Sequence, residues 1–568
     1  MKAMQCKLLC AAGLLSAGVC AAAGDPYAYR ELVKTASSPR EVRKGLFDFG
    51  KDGIGWLELK GVVPGDYEIV IGEMTNSAGH VANPHPGSTI RCQKLAGTVE
   101  AGATYRVPMP PDKWNLTGYA PKTAPAIALP KWAGIVYPFR YVEVVKGLEG
   151  VKAANLVRQM VHHPIDMSKS SFVSDSKVLN DVYELCKYSM LATSFTGIYV
   201  DGDRERTPYE ADAYINQLGH YAVDDDYTMA RKSCEWLADH PTWPTEWKQH
   251  QIMMHWADWM WTGDTRSVAK YWSKLTTEKL LAKYVRESDG LILSGGENRK
   301  GCRIPGSGDI VDWPERERDG FEFKPVNAVV NAFYYRNLRE LAQMARALGK
   351  ADEADAFETK AKAVRVAFRR LFLDAASGLF VDGEGSSHKS LHANAAALAF
   401  GLVEKDEMPR IVAFLEPKGL ACSVYFAQYL LEAFCEAGRA DIAVRLMAST
   451  GERSWQAMID FGSTISMEAW NMKAKPNQDL NHAWGAAPLN VISRYVLGVK
   501  PLEPGFKTIA IAPQPGGLKK IEAKVPTARG AVRLSVDGAK LTVVTPARAR
   551  VTWGGKTVDV APGRHVFP

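Results

Sequence analysis

The 568-residue sequence has no long hydrophobic run beyond its first two dozen residues. A membrane-spanning helix needs roughly 18 or more consecutive apolar residues, so the sequence predicts no membrane span. The apolar run Leu8 to Val19 is short, follows two lysines and precedes the small residues Ala21 to Ala23. This pattern is typical of a secretory signal, so we expect cleavage after Ala23 and a periplasmic or secreted product.

Cysteines are also few, and none has the spacing of a metal site. Six of the nine remain beyond the predicted signal: Cys92, Cys186, Cys234, Cys302, Cys422 and Cys435. Dispersed cysteines in a large chain are more often small buried hydrophobes than a disulfide framework, although an oxidising compartment permits one or two bridges. His162 and His163 are adjacent, and neighbouring side chains on an extended segment point apart. We therefore predict no metal site and no cofactor.

The sequence lacks dense clusters of basic residues as well. The formal charge is +7, and removal of the predicted signal with Lys2 and Lys7 lowers it by two. Scattered lysines and arginines argue against a nucleic-acid partner and are compatible with an acidic polysaccharide. No glycine-rich phosphate loop and no nucleophile elbow is found. The sequence makes no prediction of oligomeric state.

Hydrophobic periodicity divides the remaining chain into three parts. Alternating short runs separated by Gly, Pro, Asn and Asp predict an N-terminal β-sandwich over residues 24–165. Residues 166–500 have a helical period and about a dozen candidate helices, which indicates an (α/α)6 toroid of six hairpins, since no repeat period supports a solenoid. Residues 501–568 return to strands, which predicts a small C-terminal β-sandwich. Ser174 is the expected N-cap of the first helix, and one helix is expected over residues 266–286.

A dense charge cluster precedes the second predicted helix. The stretch Asp201-Gly-Asp-Arg-Glu-Arg-Thr-Pro-Tyr-Glu-Ala-Asp212 contains five carboxylates and two arginines. Neighbouring carboxylates raise at least one proton affinity unless cations compensate, which is how active sites keep one acid protonated and another ionised. A solvated loop or a helix-capping ion pair has the same composition.

A second carboxylate lies far away in sequence. Glu468 stands in Ser463-Thr-Ile-Ser-Met-Glu-Ala-Trp470, shortly before His482, and many tryptophans surround both regions. Glycoside hydrolysis needs such a pair, one acid to protonate the leaving oxygen and one carboxylate as nucleophile or base. Aromatic rings supply platforms for sugars, although single tryptophans are more often core residues.

Together these motifs resemble the α-L-rhamnosidases of glycoside hydrolase family 78. The resemblance covers most of the chain and includes Ser171 to Asp181, Asp309-Ile-Val-Asp-Trp-Pro314, the Glu468 segment, and the passage from His482 to Phe506. It implies a toroid between β-sandwich domains and an inverting mechanism. Glu205 would then be the general acid and Glu468 the general base. The further substrate-binding residues that it implies or that lie near these motifs are Asp201, Arg204, Glu210, Asp212, Glu246, Trp247, Asp312, Trp313, Trp470 and His482.

The sequence departs from the family pattern in the second half of the acidic motif. The motif is about one residue shorter, so Glu210 is a rival general acid and the identity of the sugar stays open. Met467 stands where the family has tryptophan. The alternatives are another six-hairpin glycosidase, a polysaccharide lyase that acts on a different sugar, and a non-catalytic glycan-binding protein.

Overall fold

The structure is a computed structural model that describes residues 25, 27–102, 104–118, 125–296 and 301–568. The predicted signal segment, residues 1–23, lies outside the described residues. Among the residues described, no helix combines the length and the apolar character that crossing a bilayer requires.

The N-terminal part is an antiparallel sheet in the order β1-β8-β3-β7-β4-β5, with β2 and β6 also paired to β3. Its long strand β3 is interrupted by a β-bulge between Asp48 and Gly53, where the pairing with β7 shifts register. A core of its own, which includes Phe47, Trp56 and Phe139, packs on this sheet. The elements are β1 (Val33–Ser37), β2 (Arg40–Arg43), β3 (Leu46–Lys60), β4 (Gly65–Gly72), β5 (Cys92–Val99), β6 (Thr104–Arg106), α1 (Lys113–Thr117), β7 (Tyr137–Lys146) and β8 (Leu156–His162).

The middle part is helical, as the sequence predicted. Every residue of α3 is buried, so this helix lies inside the helical layer and presents no solvent face. The elements are β9 (Ser171–Ser174), α2 (Lys177–Ala192), α3 (Glu210–Val223), α4 (Thr228–Asp239), α5 (Thr245–Thr262), α6 (Arg266–Lys274), α7 (Ala328–Ala347), α8 (Ala351–Phe372), β10 (Leu373–Asp374), β11 (Leu379–Phe380), α9 (Leu391–Ala399), α10 (Met408–Leu415), α11 (Ala427–Glu436), α12 (Ala440–Met447), α13 (Trp455–Asp460) and α14 (Ala487–Val491).

Two helix boundaries differ from the sequence-based prediction. Ser174 does not cap α2, because residues 171–174 form β9, and the Ser176 side chain accepts the capping hydrogen bond from the Leu179 amide. The α-helix expected over residues 266–286 ends at Lys274 and continues as a π-helical segment over Leu275–Lys279. Leu281 then adopts a left-handed backbone conformation, which an α-helix cannot accommodate.

The C-terminal part consists of two sheets, in the orders β12-β13-β17-β18 and β19-β16-β15-β14-β9. Strand β9 precedes the first helix of the helical part, so its pairing with β14 ties the two parts together. The strands are β12 (Val499–Pro501), β13 (Ile509–Ile511), β14 (Lys520–Val525), β15 (Val532–Asp537), β16 (Lys540–Thr545), β17 (Ala549–Trp553), β18 (Lys556–Val560) and β19 (Gly563–Phe567).

Candidate active site

A cavity of about 710 Å³ opens between the helical part and the N-terminal sheet. Pockets of about 300 to 1,000 Å³ are typical of small-molecule sites. The lining residues are Ser88, Thr89, Ile90, Arg91, Cys92, Gln93, Asp112, Asp201, Arg204, Glu205, Tyr209, Asp212, Trp243, Trp247, Ile310, Trp313, Glu468, Lys475, Asn477, His482 and Trp484.

The acidic motif forms the loop that leads into α3, and buried contacts fix its path. Arg206 has a φ of 53°, a left-handed conformation that is uncommon for a residue with a side chain. Its guanidinium donates to Asp203 at 2.6 Å and to the Val136 carbonyl at 2.8 Å. The Asp203 amide donates to the Asn481 side chain at 2.7 Å. Arg206 therefore supports the loop from behind, and Arg204 and Glu205 line the cavity.

Arg204 joins the two carboxylates that the sequence singled out. Its Nη1 and Nη2 donate to the two oxygens of Glu468 at 2.8 and 3.0 Å, and Nη2 also lies 3.2 Å from Oε1 of Glu205. The Glu205 and Glu468 side chains are 13% and 4% exposed, so these contacts are largely shielded from water. Bidentate, charge-assisted pairing of this kind fixes both position and orientation. Residues 263 positions apart in sequence thus form one cluster.

Two cations hold Glu468 in its ionised form. Lys475 Nζ lies 3.1 Å from Oε1 of Glu468 and is itself buried. Burial alone raises the pKa of a carboxyl group, but Arg204 and Lys475 together hold the pKa of Glu468 well below its usual range. Glu468 is therefore a carboxylate at neutral pH.

Asp201 lies beside this cluster and has the opposite protonation tendency. Its Oδ1 accepts a hydrogen bond from the Thr207 amide at 3.1 Å, and its Oδ2 has no hydrogen-bond partner among the described residues. Burial, with the nearby charge of Glu205 adding to it, raises the pKa of Asp201 well above its usual range. The Tyr209 hydroxyl donates to Oε2 of Glu205 at 3.0 Å. Asp201 therefore favours its protonated form at neutral pH.

His482 is held between two carboxylates close to Glu468. Its Nε2 lies 2.8 Å from Asp212 and its Nδ1 lies 3.3 Å from Asp479. Burial opposes a charge here, but Asp479 and Asp212 outweigh it and raise the pKa of His482 well above its usual range. The ring is therefore an imidazolium that donates from both nitrogens.

The Glu468, Asp479 and His482 side chains come within 4.8 Å of one another, as potential metal ligands do. The sequence showed no such grouping. In this structure the carboxylates pair with His482 and with the cations beside Glu468. The trio is an ion-pair network.

Tryptophans form the apolar walls of the cavity. The Trp247 and Trp484 rings meet edge to face with centroids 6.3 Å apart, and both are buried. Trp243 and Trp313 line the cavity and are partly exposed. Aromatic faces beside paired carboxylates are suited to a ligand that has both apolar faces and hydroxyl groups.

Comparison with known proteins agrees with this arrangement. Residues 167–496 match the model of the bacterial alpha-L-rhamnosidase 6 hairpin glycosidase domain, and residues 498–552 match that of the bacterial alpha-L-rhamnosidase C-terminal domain. The chain belongs to the bacterial α-L-rhamnosidase six-hairpin family. The family expected from the acidic motif and the Glu468 segment is thereby confirmed.

Relatives in this family are named α-L-rhamnosidases. One from Alteromonas sp. (strain LOR) is 25% identical over 459 residues, which cover 72% of this chain and 47% of that protein. One from Streptomyces avermitilis is 24% identical over 514 residues, which cover 84% of this chain and 45% of that protein. The chain therefore spans about half the length of the curated relatives that it matches.

Solved structures share the fold. The Streptomyces avermitilis α-L-rhamnosidase complexed with L-rhamnose has a TM-score of 0.74 at 17% identity, with 95% of this chain and 54% of that chain covered. The α-L-rhamnosidase from Aspergillus terreus has a TM-score of 0.72 at 17% identity, with 95% of this chain and 63% of that chain covered.

Six of the ten residues predicted to bind substrate line the cavity of this family member: Asp201, Arg204, Asp212, Trp247, Trp313 and His482. So do Glu205 and Glu468. The other four predicted residues do not line it: Glu210, Glu246, Asp312 and Trp470.

Those four residues are buried behind the walls and support them. Glu210 accepts a hydrogen bond from the Thr242 amide at 3.0 Å, which draws its carboxylate away from the cavity. Glu246 accepts hydrogen bonds from the Ile310 and Val311 amides. Burial, with the charge of Asp309 adding to it, raises the pKa of Glu246 to about 8.

Asp312 and Trp470 are held by the interior of the helical part. Asp312 lies 2.7 Å from Nε2 of His392 and accepts from the Ser423 amide at 2.8 Å. The Trp470 indole donates to the Cys422 carbonyl at 2.6 Å and meets Trp455 edge to face. These contacts satisfy both side chains and leave neither directed at a ligand.

Sequence reasoning missed the contribution of the N-terminal sheet. Residues 88–93 and Asp112 line the cavity, and so do Lys475 and Asn477 from the loop after Glu468. Lys475 lies seven residues beyond Glu468, which was a weak signal for an ion pair. No signal in the sequence connected residues 88–93 with the acidic motif.

Proposed function

We propose that this chain is an α-L-rhamnosidase that removes a terminal α-L-rhamnosyl or related deoxyhexosyl residue with Glu205 as general acid and Glu468 as general base. The observation that carries the proposal is the contact of Arg204 with both carboxylates inside a cavity walled by tryptophans. Membership of the family and the names of the relatives supply the sugar class.

The proposed acid side combines Glu205 with the protonated Asp201 near it, and both line the cavity. An acid must hold a proton at working pH and release it to the leaving oxygen. Asp201 keeps a proton because it is buried beside a second carboxylate, and Glu205 is the more exposed of the two. Glu205 therefore delivers the proton, and the Tyr209 hydroxyl orients its Oε2.

The proposed base side depends on an ionised Glu468. Arg204 and Lys475 hold it as a carboxylate, so it accepts a proton from water without first losing its own. The same two cations reduce its basicity, and a bound sugar that displaces part of the Arg204 contact would restore it.

The inverting course is part of the proposal and follows from the family resemblance. Both carboxylates touch Nη2 of Arg204, at 3.2 and 3.0 Å, so their nearest oxygens are at most about 6 Å apart. Carboxyl groups lie roughly 5 to 5.5 Å apart in retaining enzymes and 6.5 to 9.5 Å apart in inverting enzymes. The bound of about 6 Å is shorter than the inverting range, so the inverting course rests on the family resemblance and not on this distance. Proton NMR of the first product anomer distinguishes the two: we expect β-L-rhamnose from an α-L-rhamnoside.

We also propose the finer architecture that the sequence indicated. The helices between Lys177 and Val491 would close as an (α/α)6 toroid, and the N-terminal and C-terminal sheets would each belong to a β-sandwich. The buried α3 supports an inner ring of helices. The domains would be residues 24–165, 166–500 and 501–568.

The test is hydrolysis of an aryl α-L-rhamnoside by the wild type and by Glu205→Gln and Glu468→Gln. Each substitution should lower kcat/KM by at least about a hundredfold, because general acid and base catalysis contribute roughly 10² to 10⁴ each. Glu210→Gln is the matched control, since Glu210 lies behind the wall and glutamine keeps an oxygen for the Thr242 amide.

Each other outcome excludes part of the proposal. Wild-type rates in both glutamine variants would exclude the two-carboxylate mechanism. Loss of activity in Glu210→Gln but not in Glu205→Gln would make Glu210 the acid. An unsaturated product absorbing in the ultraviolet would indicate a lyase. Sugar binding without hydrolysis in the wild type would indicate a glycan-binding protein.

A further inference from the structure

Glu73 directly follows strand β4 of the N-terminal sheet, and its side chain is buried. Its Oε2 accepts a hydrogen bond from the Arg91 amide at 2.6 Å, and its Oε1 accepts one from the Asn481 side chain at 3.1 Å. Arg91 immediately precedes β5 and lines the cavity, whereas Asn481 belongs to the segment that follows Glu468. Glu73 therefore joins the N-terminal sheet to the helical part beside the cavity.

The Asn481 side chain extends this connection to the loop of the proposed acid. Its Nδ2 donates to Glu73, and its Oδ1 accepts from the Asp203 amide at 2.7 Å, two residues before Glu205. Asn481 is 1% exposed, so water does not replace either contact. An amide turned the other way would place its NH₂ group against the Asp203 N–H, donor against donor. Because Glu73 accepts from the NH₂ end, the oxygen of Asn481 stays directed at the Asp203 amide.

Arg91 provides a second connection from Glu73 to the same loop. The Arg91 amide donates to the Glu73 carboxyl group, and the Glu73 amide donates to the Arg91 carbonyl at 3.1 Å. The guanidinium Nε of Arg91 donates to Oδ2 of Asp203 at 2.8 Å. The backbone and the side chain of Asp203 are therefore both connected to Glu73.

A neighbouring carboxyl group determines the protonation state of Glu73. Asp52 is also buried and makes a hydrogen bond with the Glu73 carboxyl group, which requires that one of the two holds a proton. Burial, with the charge of Asp52 adding to it, raises the pKa of Glu73 well above its usual range. The charges of Arg158 and Arg140 favour the ionised form of Asp52. Neutral Glu73 therefore donates to Asp52 while its two oxygens accept the hydrogen bonds described above.

From this geometry we propose that Glu73 is a positioning residue for the proposed general acid, Glu205. It acts on Asp203 through the Asn481 side chain and through Arg91, and thereby fixes where the acid meets the leaving oxygen. The inference rests on the proposed function, because it deepens the role given there to Glu205. On this proposal the N-terminal sheet is part of the catalytic unit, although the two family matches begin only at residue 167.

The contribution of an acid is measured by how much a substrate needs its proton. When the glycosidic bond of phenyl α-L-rhamnoside breaks, Glu205 donates a proton to the departing oxygen, because a phenol has a pKa of about 10 and phenoxide leaves poorly. The oxygen of 2,4-dinitrophenyl α-L-rhamnoside keeps the electron pair of the bond and leaves as a stable anion without a proton. A misplaced acid therefore slows the phenyl substrate far more than the dinitrophenyl substrate.

The experiment measures both substrates with Glu73→Met, which keeps the volume of the side chain and removes both acceptor oxygens. We expect kcat for the phenyl substrate to fall about tenfold with little change in KM, the upper range for one lost hydrogen bond. The loss is partial because Arg206 still holds Asp203. The rate for the dinitrophenyl substrate should change by less than about twofold.

Glu143→Met is the matched control. Glu143 is another buried carboxyl group of the same sheet and accepts from the Val81 amide at 2.9 Å. Its hydrogen-bond partners in the described part of the chain, Arg43, His80 and Val81, do not line the cavity. This variant should leave the ratio of the phenyl and dinitrophenyl rates unchanged, even where it lowers stability.

Two further variants test the connection itself. If Glu73→Met does not fold, Glu73→Gln replaces it, because glutamine keeps a donor for Asp52 and loses one of the two accepted hydrogen bonds; the phenyl rate alone should fall about threefold. Glu73→Met added to Asn481→Ala should slow the phenyl substrate by at most about threefold more, whereas independent sites would give about tenfold. A further tenfold loss would show that Glu73 does not act through Asn481.

The same two substrates separate this inference from the proposed function. Glu205→Gln should also slow the phenyl substrate selectively. If it does and the Glu73 variants slow both substrates equally or neither of them, the positioning role is wrong and the acid assignment stands. If Glu205→Gln affects both substrates equally, Glu205 is not the acid, and the proposed function and the positioning role are both overturned.

Discussion

Replacement of Arg204 by methionine tests the electrostatic reasoning most directly. Methionine keeps much of the length and apolar volume of the side chain and removes the charge. Glu468 would lose contacts at 2.8 and 3.0 Å and keep Lys475 at 3.1 Å and the Asp479 amide at 3.4 Å. Because Glu468 is 4% exposed, water does not replace the lost donors.

The magnitude follows from that burial. Removing one partner of a buried ion pair costs about 3 to 5 kcal/mol, because the remaining charge is left without compensation. Lys475 remains, so we expect a loss of about 3 kcal/mol in the free energy of unfolding at neutral pH. Native proteins are stable by only about 5 to 15 kcal/mol, so this loss is measurable in urea.

The pH dependence of the free energy of unfolding shows the direction of this effect. The folded pKa of Glu468 lies below its unfolded value of about 4.3. The stabilisation from its ionisation is therefore fully present above about pH 4.3 and is lost as the pH falls towards the folded pKa. The gap in stability between wild type and Arg204→Met should be constant from pH 7 to about pH 5 and should narrow at lower pH.

The dependence of kcat/KM on pH provides a second readout. Without Arg204, burial is opposed by the charges of Lys475 and His482 only, so the pKa of Glu468 rises and the acid limb of kcat/KM should move to higher pH. Lys473→Met is a suitable control because Lys473 is a fully exposed lysine in the same loop as Lys475. A variant with the wild-type acid limb and the wild-type urea midpoint would refute the role assigned to Arg204.

Two further predictions concern Tyr209 and Glu246. Tyr209→Phe removes the donor to Glu205 at 3.0 Å and should lower kcat about tenfold with little change in KM, measured on an aryl α-L-rhamnoside; an unchanged kcat would show that Tyr209 does not orient Glu205. Glu246 has a pKa raised to about 8, so its stabilisation is complete below its unfolded value of about 4.3 and is lost as the pH rises through 8. Glu246→Gln, which keeps an oxygen for the Val311 amide, should flatten the decline in thermal stability between pH 5 and pH 8; an unaltered decline would contradict this explanation.

The acidic motif shows how far sequence reasoning reached. Asp201, Arg204, Glu205 and Asp212 were predicted together because they are close in sequence, and they all line the cavity. Glu210 belongs to the same motif but lies behind the wall. It is the first residue of α3, and the helix direction there turns its side chain towards Thr242. Spacing alone does not reveal which side of a loop faces a cavity.

Residues that support the site were harder to separate from residues that line it. Glu246, Asp312 and Trp470 stand beside lining residues in sequence, yet each is fully occupied by hydrogen bonds inside the helical part. A polar residue next to a site has the same composition signal whether it holds the wall or faces the ligand. The hydrogen-bond partner of the residue decides between these two roles, and that partner is distant in sequence.

The sequence by itself determined the division into strands, helices and strands, the family, and the two carboxylate segments, because periodicity and short motifs are local properties. Only the tertiary structure decided that Arg204 joins Glu205 and Glu468, that Lys475 keeps Glu468 ionised, and that residues 88–93 line the cavity. Apart from Arg204 and Glu205, which are neighbours in sequence, these contacts link residues that are seven to more than two hundred and sixty positions apart. Their strength depends on burial, which lowers the local dielectric and which no single segment encodes.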